Sequence, residues 1–223
     1  MFRVALYCEG PAESGAIGLG PSPGTLLADA ELGAAHVLVR RAALHFDTQR
    51  FESLSFEEPL RLAGSRPRGG QLLSRGNLRK LLSWADPRRA PDLSVLLVDE
   101  DGDEKRLERL TNFVKGLAPP FAVIAVAVRE FESWLLADHR ALARLTGRRI
   151  DHATEVESLA PGAAKEHLRE LTDGLRDQHG VARAHRVIAE ALELDVLVAR
   201  CASFSRFLAE LKECAARTPD RQA

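Results

Sequence analysis

The segment Leu93-Ser94-Val95-Leu96-Leu97-Val98-Asp99-Glu100-Asp101-Gly102-Asp103 decides the fold, because an almost wholly apolar run stops abruptly in a string of carboxylates. A short continuous apolar run, rather than an alternating one, reads as a strand covered on both faces, as in parallel sheets sandwiched by helices. Two more segments share this design. Arg3 to Cys8 runs into Glu9-Gly10, and Phe121 to Val128 runs into Arg129-Glu130-Phe131-Glu132.

The intervening segments read mostly as helices. Leu26 to Phe46 carries helical periodicity, with Leu32, Ala35, His36, Val39, Ala43 and Phe46 on one face. Phe51 to Leu62 alternates like a strand or hairpin, weakened by Glu57-Glu58-Pro59. Gln71 to Trp84 and Asp103 to Leu117 read as amphipathic helices, and Phe131, Trp134, Leu135, Leu142 and Leu145 mark one helix after the third strand. Beyond Gly147 the pattern is helical or looped. Strands separated by helices are βαβ units, so the expected fold is α/β. It comprises a mostly parallel sheet of about four strands flanked by helices, with a helical C-terminal region. Residues 1–150 form the expected core and 151–223 an extension packed on it as one compact unit, since no long polar linker divides them.

Composition narrows the class. The chain has 223 residues, 45% hydrophobic and 28% charged, with a net charge of −1. This excludes a disulfide-stapled miniprotein and a uniformly basic binder. No apolar run approaches the roughly 18 residues of a membrane span, so no membrane partner is expected. Glu9 follows Met1 to Cys8 before a secretory core can develop, which makes the cytoplasm the expected location. Cys8, Cys201 and Cys214 lack C-x-x-C spacing and read as reduced packing residues. The small net charge is a cancellation. Residues 61–90 hold eight bases (Arg61, Arg66, Arg68, Arg75, Arg79, Lys80, Arg88, Arg89) against Asp86, whereas 99–108 hold six acids against two bases.

If the three apolar strands are parallel neighbours, their acidic ends share the edge where open α/β sheets bind ligands. Carboxylates about 4 to 6 Å apart repel by roughly 1 to 4 kcal/mol per pair, which a divalent cation or shared protons relieve. Asp99-x-Asp101-x-Asp103 offers hard oxygen ligands suited to Mg²⁺ or Mn²⁺. The plainer reading makes Asp101 and Asp103 helix caps and Glu104 and Glu130 complements to helix dipoles. Three coincident strand ends favour the first. An EF-hand fails, because Glu104 and Leu110 stand where that loop needs Gly and Glu. Gly10 to Gly15 lacks Gly-Lys-Ser/Thr, and the further glycines to Gly24 do not form a dinucleotide fingerprint, so ATP hydrolysis is not expected. The seven histidines lack zinc-enzyme spacing.

Tyr7-Cys8-Glu9-Gly10-Pro11-Ala12-Glu13 resembles the E-G-x-x-E signature closing the first strand of Toprim domains, and Leu97-Val98-Asp99-Glu100-Asp101-Gly102-Asp103 resembles their D-x-D strand end. These domains occur in topoisomerases, primases and overcoming-lysogenization-defect nucleases. Arg129-Glu130-Phe131-Glu132-Ser133-Trp134-Leu135-Leu136-Ala137-Asp138 is similar to the hallmark of an uncharacterised bacterial Toprim-like family, as are Ile188-Ala189-Glu190 and Cys201 to Leu208. Members of that family often stand beside ATPase genes in phage-defence settings. The resemblance implies phosphodiester chemistry on DNA or RNA, with Mg²⁺ or Mn²⁺ and a possible ATPase partner. It implies Glu9 as general acid/base, Asp99 and Asp101 as metal ligands, and Asp103 and Glu13 as assistants. Glu130 or Glu132 completes the cluster; two positions apart on a helix, only one is expected to reach it well. Ala12 and the glycine-rich insertion depart from better-known Toprim proteins.

Arg66, Arg68, Arg79 and Lys80 are candidate nucleic-acid contacts within the basic segment, against the alternative of a solvated face. Arg129 either meets phosphate or pairs with an acid, and Lys165 either approaches the site or is solvated. The leading functional reading is a metal-dependent nuclease. The alternatives are a non-catalytic subunit of an ATPase and, less favoured, a D-x-D phosphatase, whose nucleophilic Asp would follow the first strand where Glu9 stands. Oligomerisation is left open.

Overall fold

A computed structural model of the chain describes residues 1–15, 21–115, 121–150 and 155–217. Residues 16–20 of the glycine-rich stretch, together with Leu117 and His152, lie outside these. Among the described residues four strands, β1 (Phe2–Cys8), β2 (Leu54–Glu57), β3 (Leu93–Asp99) and β4 (Ala122–Ala127), form one parallel sheet in the order β2-β1-β3-β4. Cys8 stands opposite Leu97, and Asp99 opposite Ala127. The acidic strand ends therefore lie level along one edge. From β1 the chain moves outward to β2, then crosses back to β3 on the other side. The switch point of this sheet thus falls between β1 and β3, where Glu9 and Asp99 emerge.

Helices cover both faces. Helices α1 (Pro11–Ser14), α2 (Ala34–Phe46) and α3 (Thr48–Phe51) lie between β1 and β2. Next, α4 (Arg75–Leu82) joins β2 to β3, and α5 (Arg106–Lys115) lies between β3 and β4. After β4 come α6 (Glu132–Leu136), α7 (His139–Thr146), α8 (Ala163–Leu171), α9 (Asp173–His179), α10 (Val181–Ala191), α11 (Leu194–Arg200) and α12 (Ala202–Arg217). Side chains alternate across a strand. Ala5 and Tyr7 of β1 join Leu78 and Leu81 of α4 and Leu110 of α5 in one core layer. Val4 and Leu6 face the opposite way, into a larger layer with Leu38 of α2, Trp134 of α6, Ile188 of α10 and Phe204 of α12. No helix among the described residues is long and apolar enough to cross a membrane.

Four boundaries differ from the sequence reading. The helix expected from Leu26 starts only at Ala34, because Thr25 to Leu27 runs extended beside β2: Leu27 N–H donates to Phe56 O at 2.9 Å and Glu58 N–H to Thr25 O at 2.8 Å. The expected strand or hairpin over 51–62 is a single parallel strand of four residues. The helix expected from Gln71 begins as a 3₁₀ turn over Gly69–Leu73 before α4. The helix expected across 131–145 is two, since the Asp138 carboxylate accepts from Arg140 N–H at 3.1 Å and Ala141 N–H at 3.0 Å and so starts α7.

Candidate functional site

Asp99 sits at the hub of the strand-end cluster. Its N–H donates to Glu9 Oε1 at 3.3 Å, which ties the ends of β1 and β3 together. Its Oδ1 accepts from Phe131 N–H at 2.8 Å, which adds the turn after β4. Its carbonyl accepts from the buried Arg106 guanidinium of α5. Arg106 also donates to Asp101 Oδ2 at 2.8 Å, clamping the carboxylate loop onto its own helix. The loop needs that clamp. Asp101 has φ +47° and Arg129, its neighbour across the turn, φ +65°; both are left-handed backbone at residues that carry a Cβ. Such conformations cost on the order of 1 kcal/mol each and persist where surrounding contacts over-determine them. Asp101 N–H donates to Arg129 O at 3.2 Å, joining the two strained positions.

Glu13 reaches the cluster from α1. The turn before it holds two tight approaches: a Cβ on Gly10 would meet Glu13 Oε2 at 2.5 Å, and one on Gly33 would meet Glu13 O at 2.3 Å. Glycine at both positions lets α1 sit against the start of α2 with the Glu13 carboxyl buried. From beyond β4, both Glu130 and Glu132 are buried, and Glu132 is the one whose charge acts on Asp99. Glu130 lies in the turn before α6, which begins at Glu132, so turn geometry rather than helix periodicity separates the two side chains. Glu130 Oε1 accepts from Lys165 N–H at 2.8 Å, while Glu132 Oε1 lies 3.9 Å from Lys165 Nζ. Lys165 is thus brought to the site from α8, its ammonium largely exposed.

The other predicted residues divide. Asp103 turns outward, where it pairs with Arg109 and, at 3.7 Å, with Arg106. Arg129 pairs with Glu100, 4.0 Å away. Arg66 is bound, together with Arg61, to the fully buried Glu58. Arg68, Arg79 and Lys80 are exposed outside the cluster. The sequence reading missed Glu57 and Glu58 as buried acids: β2 also ends in carboxylates, with Glu57 Oε2 2.8 Å from Arg3 Nε. Their signal is the pair of acids directly after Phe56, which by local pattern alone reads as weakening the strand.

A family described as Domain of unknown function (DUF4276) matches residues 35–212. The chain belongs to the DUF4276 family. No curated protein and no solved structure matches it. Asp99, Asp101, Glu130, Glu132 and Lys165 fall inside the DUF4276 segment, while Glu9 and Glu13 precede it.

Electrostatics sharpen the picture of this DUF4276 site. Burial, followed by the negative charges of Glu9, Glu132 and Glu13, pushes the Asp99 carboxyl up to about 8. Burial likewise raises Glu132 to about 7 despite the opposing charge of Lys165. Glu9 is raised by burial and then by Asp101. Lys165 is raised, first by Glu132 and further by Asp99, Glu130 and Glu13. Two of the carboxylate oxygens, Glu13 Oε2 and Glu132 Oε2, are buried without a hydrogen-bond partner. Buried polar atoms are rarely left so unless a ligand, ion or water completes them. Among the described residues no group of three or more His, Cys, Asp or Glu side chains is arranged to hold a metal ion. The residues therefore do not form an all-protein cage. A Mg²⁺ ion here would have to be held by one or two of these carboxylates, with water and substrate phosphate completing its shell.

Proposed function

We propose that this DUF4276 protein is a Toprim-type, Mg²⁺- or Mn²⁺-dependent nuclease that hydrolyses phosphodiester bonds of DNA or RNA. The observation that carries the reading is the meeting of Glu9 and Asp99 at the sheet's switch point, with Glu13 and Glu132 within electrostatic range of Asp99. Asp99 would hold the metal with Glu13 or Glu132, whose unpartnered oxygens belong to the same cluster. Asp101 is a weaker candidate ligand because Arg106 already engages its carboxylate. When bound, the metal supplies Lewis-acid polarisation of the phosphoryl group and eases deprotonation of a coordinated water. Glu9, half-buried and raised above the ordinary carboxylate range, is the group that takes or gives the proton. Lys165, exposed on one side and beside Glu132 on the other, would meet a substrate phosphate, a role supported by its exposure next to the cluster. A phage-defence setting is supported by the motif resemblance alone.

The test is cleavage of supercoiled plasmid and of labelled RNA by purified protein in Mg²⁺, Mn²⁺ or EDTA. Glu9→Gln and Asp99→Ala should each reduce metal-dependent cleavage by about 10²-fold or more. Undiminished cleavage by both folded variants would overturn the assignment.

A further inference from the structure

Of the eight bases in residues 61–90, Arg61 and Arg66 are committed to Glu58. The other six, Arg68, Arg75, Arg79, Lys80, Arg88 and Arg89, are exposed. Among the described residues their side chains form no ion pair. They sit on α4 and on the turns leading into and out of it. The path has fixed ends. Gly69 N–H donates to Glu9 O at 3.3 Å, so the entering turn abuts the acidic cluster. Arg3 Nη2 donates to Arg89 O at 2.6 Å and Ala90 O at 2.8 Å, so the leaving turn sits at the opposite edge, where β1 begins. Because β2 and β3 are parallel, α4 between them runs back down the sheet. The cations therefore run from the site along the height of β1, seven residues or roughly 23 Å.

We infer that this strip, centred on the outer face of α4, binds the sugar–phosphate backbone of a nucleic-acid duplex and leads it to the acidic cluster. The inference rests on the proposed nuclease reading only for the destination; the binding itself needs no metal. The occupant follows from what the strip contains and lacks. The large hydrophobic residues exposed among the described residues are Met1, Leu26 and Val181, none of them here. A membrane-inserting face, or a protein interface with apolar anchors, requires such residues. Single-strand binders stack bases on exposed aromatics. The aromatic of this segment, Trp84, packs instead against the α4 core layer and over Gly24, where a Cβ would meet its ring at 3.4 Å. A cationic strip without stacking platforms matches a duplex, which offers one phosphate per about 1.7 Å of axis and asks for no base contact.

The experiment is fluorescence anisotropy of a labelled DNA duplex and its separated single strand in EDTA, across a salt series. Wild-type protein and an Arg75→Ala/Arg79→Ala/Lys80→Ala variant are compared, with circular dichroism verifying the fold. The duplex should bind more tightly than the single strand. Removing three phosphate contacts should reduce the slope of log affinity against log salt by about 3 and weaken binding about 10-fold or more at low salt. An unchanged slope in the variant overturns the proposal, as does absence of duplex binding, preference for the single strand, or binding only to phosphatidylserine vesicles. Duplex binding through α4 without cleavage in Mn²⁺ sinks the nuclease reading and leaves this strip standing.

Discussion

Asp99 shows how one residue concentrates the chemistry of the site. Its backbone and carboxylate are engaged by Glu9, Phe131 and Arg106, from three different parts of the chain, while the charges of Glu9, Glu132 and Glu13 oppose its ionisation. Folding raises this carboxyl from 3.8 to about 8, so between these values the folded protein binds a proton that the unfolded chain releases. Stability from this group is then full below about pH 4 and is lost as pH rises toward 8. Metal-free protein in EDTA should therefore melt at lower temperature at pH 8 than at pH 6. Asp99→Asn, which keeps the shape without the charge, should flatten that dependence and raise stability at pH 8 by on the order of 2 kcal/mol, less than the full shift at about 1.4 kcal/mol per unit because Glu9 and Glu132 share the cluster's protons. In a chain of this size that is about 4 to 8 °C in Tm. Thermal melts of the two proteins across pH decide it; a variant less stable at pH 8 would contradict the assigned electrostatics. Asp99 was legible as a site residue because an acid ending an apolar strand has few structural reasons to be there. Glu57 and Glu58 are less legible as buried acids, because the sequence does not show that Arg3 reaches Glu57 from the neighbouring strand or that Arg61 and Arg66 fold back onto Glu58.

At the scale of elements, strands were easier to read than helix boundaries. Runs such as Leu93 to Val98 permit one environment, a sheet covered on both faces, and β3 occupies it. The stretch from Leu26 mimicked a helix because its apolar residues happen to repeat at helical spacing, yet their backbone bonds go to β2. Asp138 split the helix across 131–145 through a cap whose effect depends on turn geometry. The start of α12 illustrates a joint invisible to periodicity. Ser203 Oγ accepts from Trp134 Nε1 at 2.7 Å and from Val128 N–H at 3.4 Å while donating to Glu157. Glu157 in turn accepts from Ala202 N–H at 2.9 Å and Ser203 N–H at 3.0 Å, satisfying the helix's first donors. One hydroxyl thus binds the end of β4, α6 and α12 together. Ser203→Ala leaves the buried indole N–H without an acceptor and should cost about 1 to 3 kcal/mol, measured by urea denaturation. A change below about 0.5 kcal/mol, the scale of an ordinary surface substitution, would show that the joint is not structural.

Across the whole molecule the C-terminal helices are part of both the core and the site. Phe204 and Phe207 of α12 surround Trp134, with ring centroids 5.1 and 5.9 Å away, and Ile188 of α10 lies in the same layer as Val4 and Leu6 of β1. The same region supplies Lys165, whose N–H holds Glu130 and whose ammonium stands beside Glu132. A sheet face stripped of these helices would expose a continuous apolar layer and leave the carboxylates without that cation. Apolar burial contributes about 25 cal/mol per Å², and a domain's net stability is only about 5 to 15 kcal/mol, so losing several buried aromatic and aliphatic side chains exceeds the margin. Two consequences are measurable. The intact chain should unfold in one cooperative transition, with far-UV dichroism and tryptophan fluorescence changing together. A chain ending at residue 150 should fail to reach a native fold, giving aggregation or a collapsed state that binds a hydrophobic dye. Separate transitions, or a truncated protein with native-like cooperative melting, would mean that the sheet with α1 to α7 stabilises itself. The position of Lys165 would then be an addition to a finished site rather than a part of it.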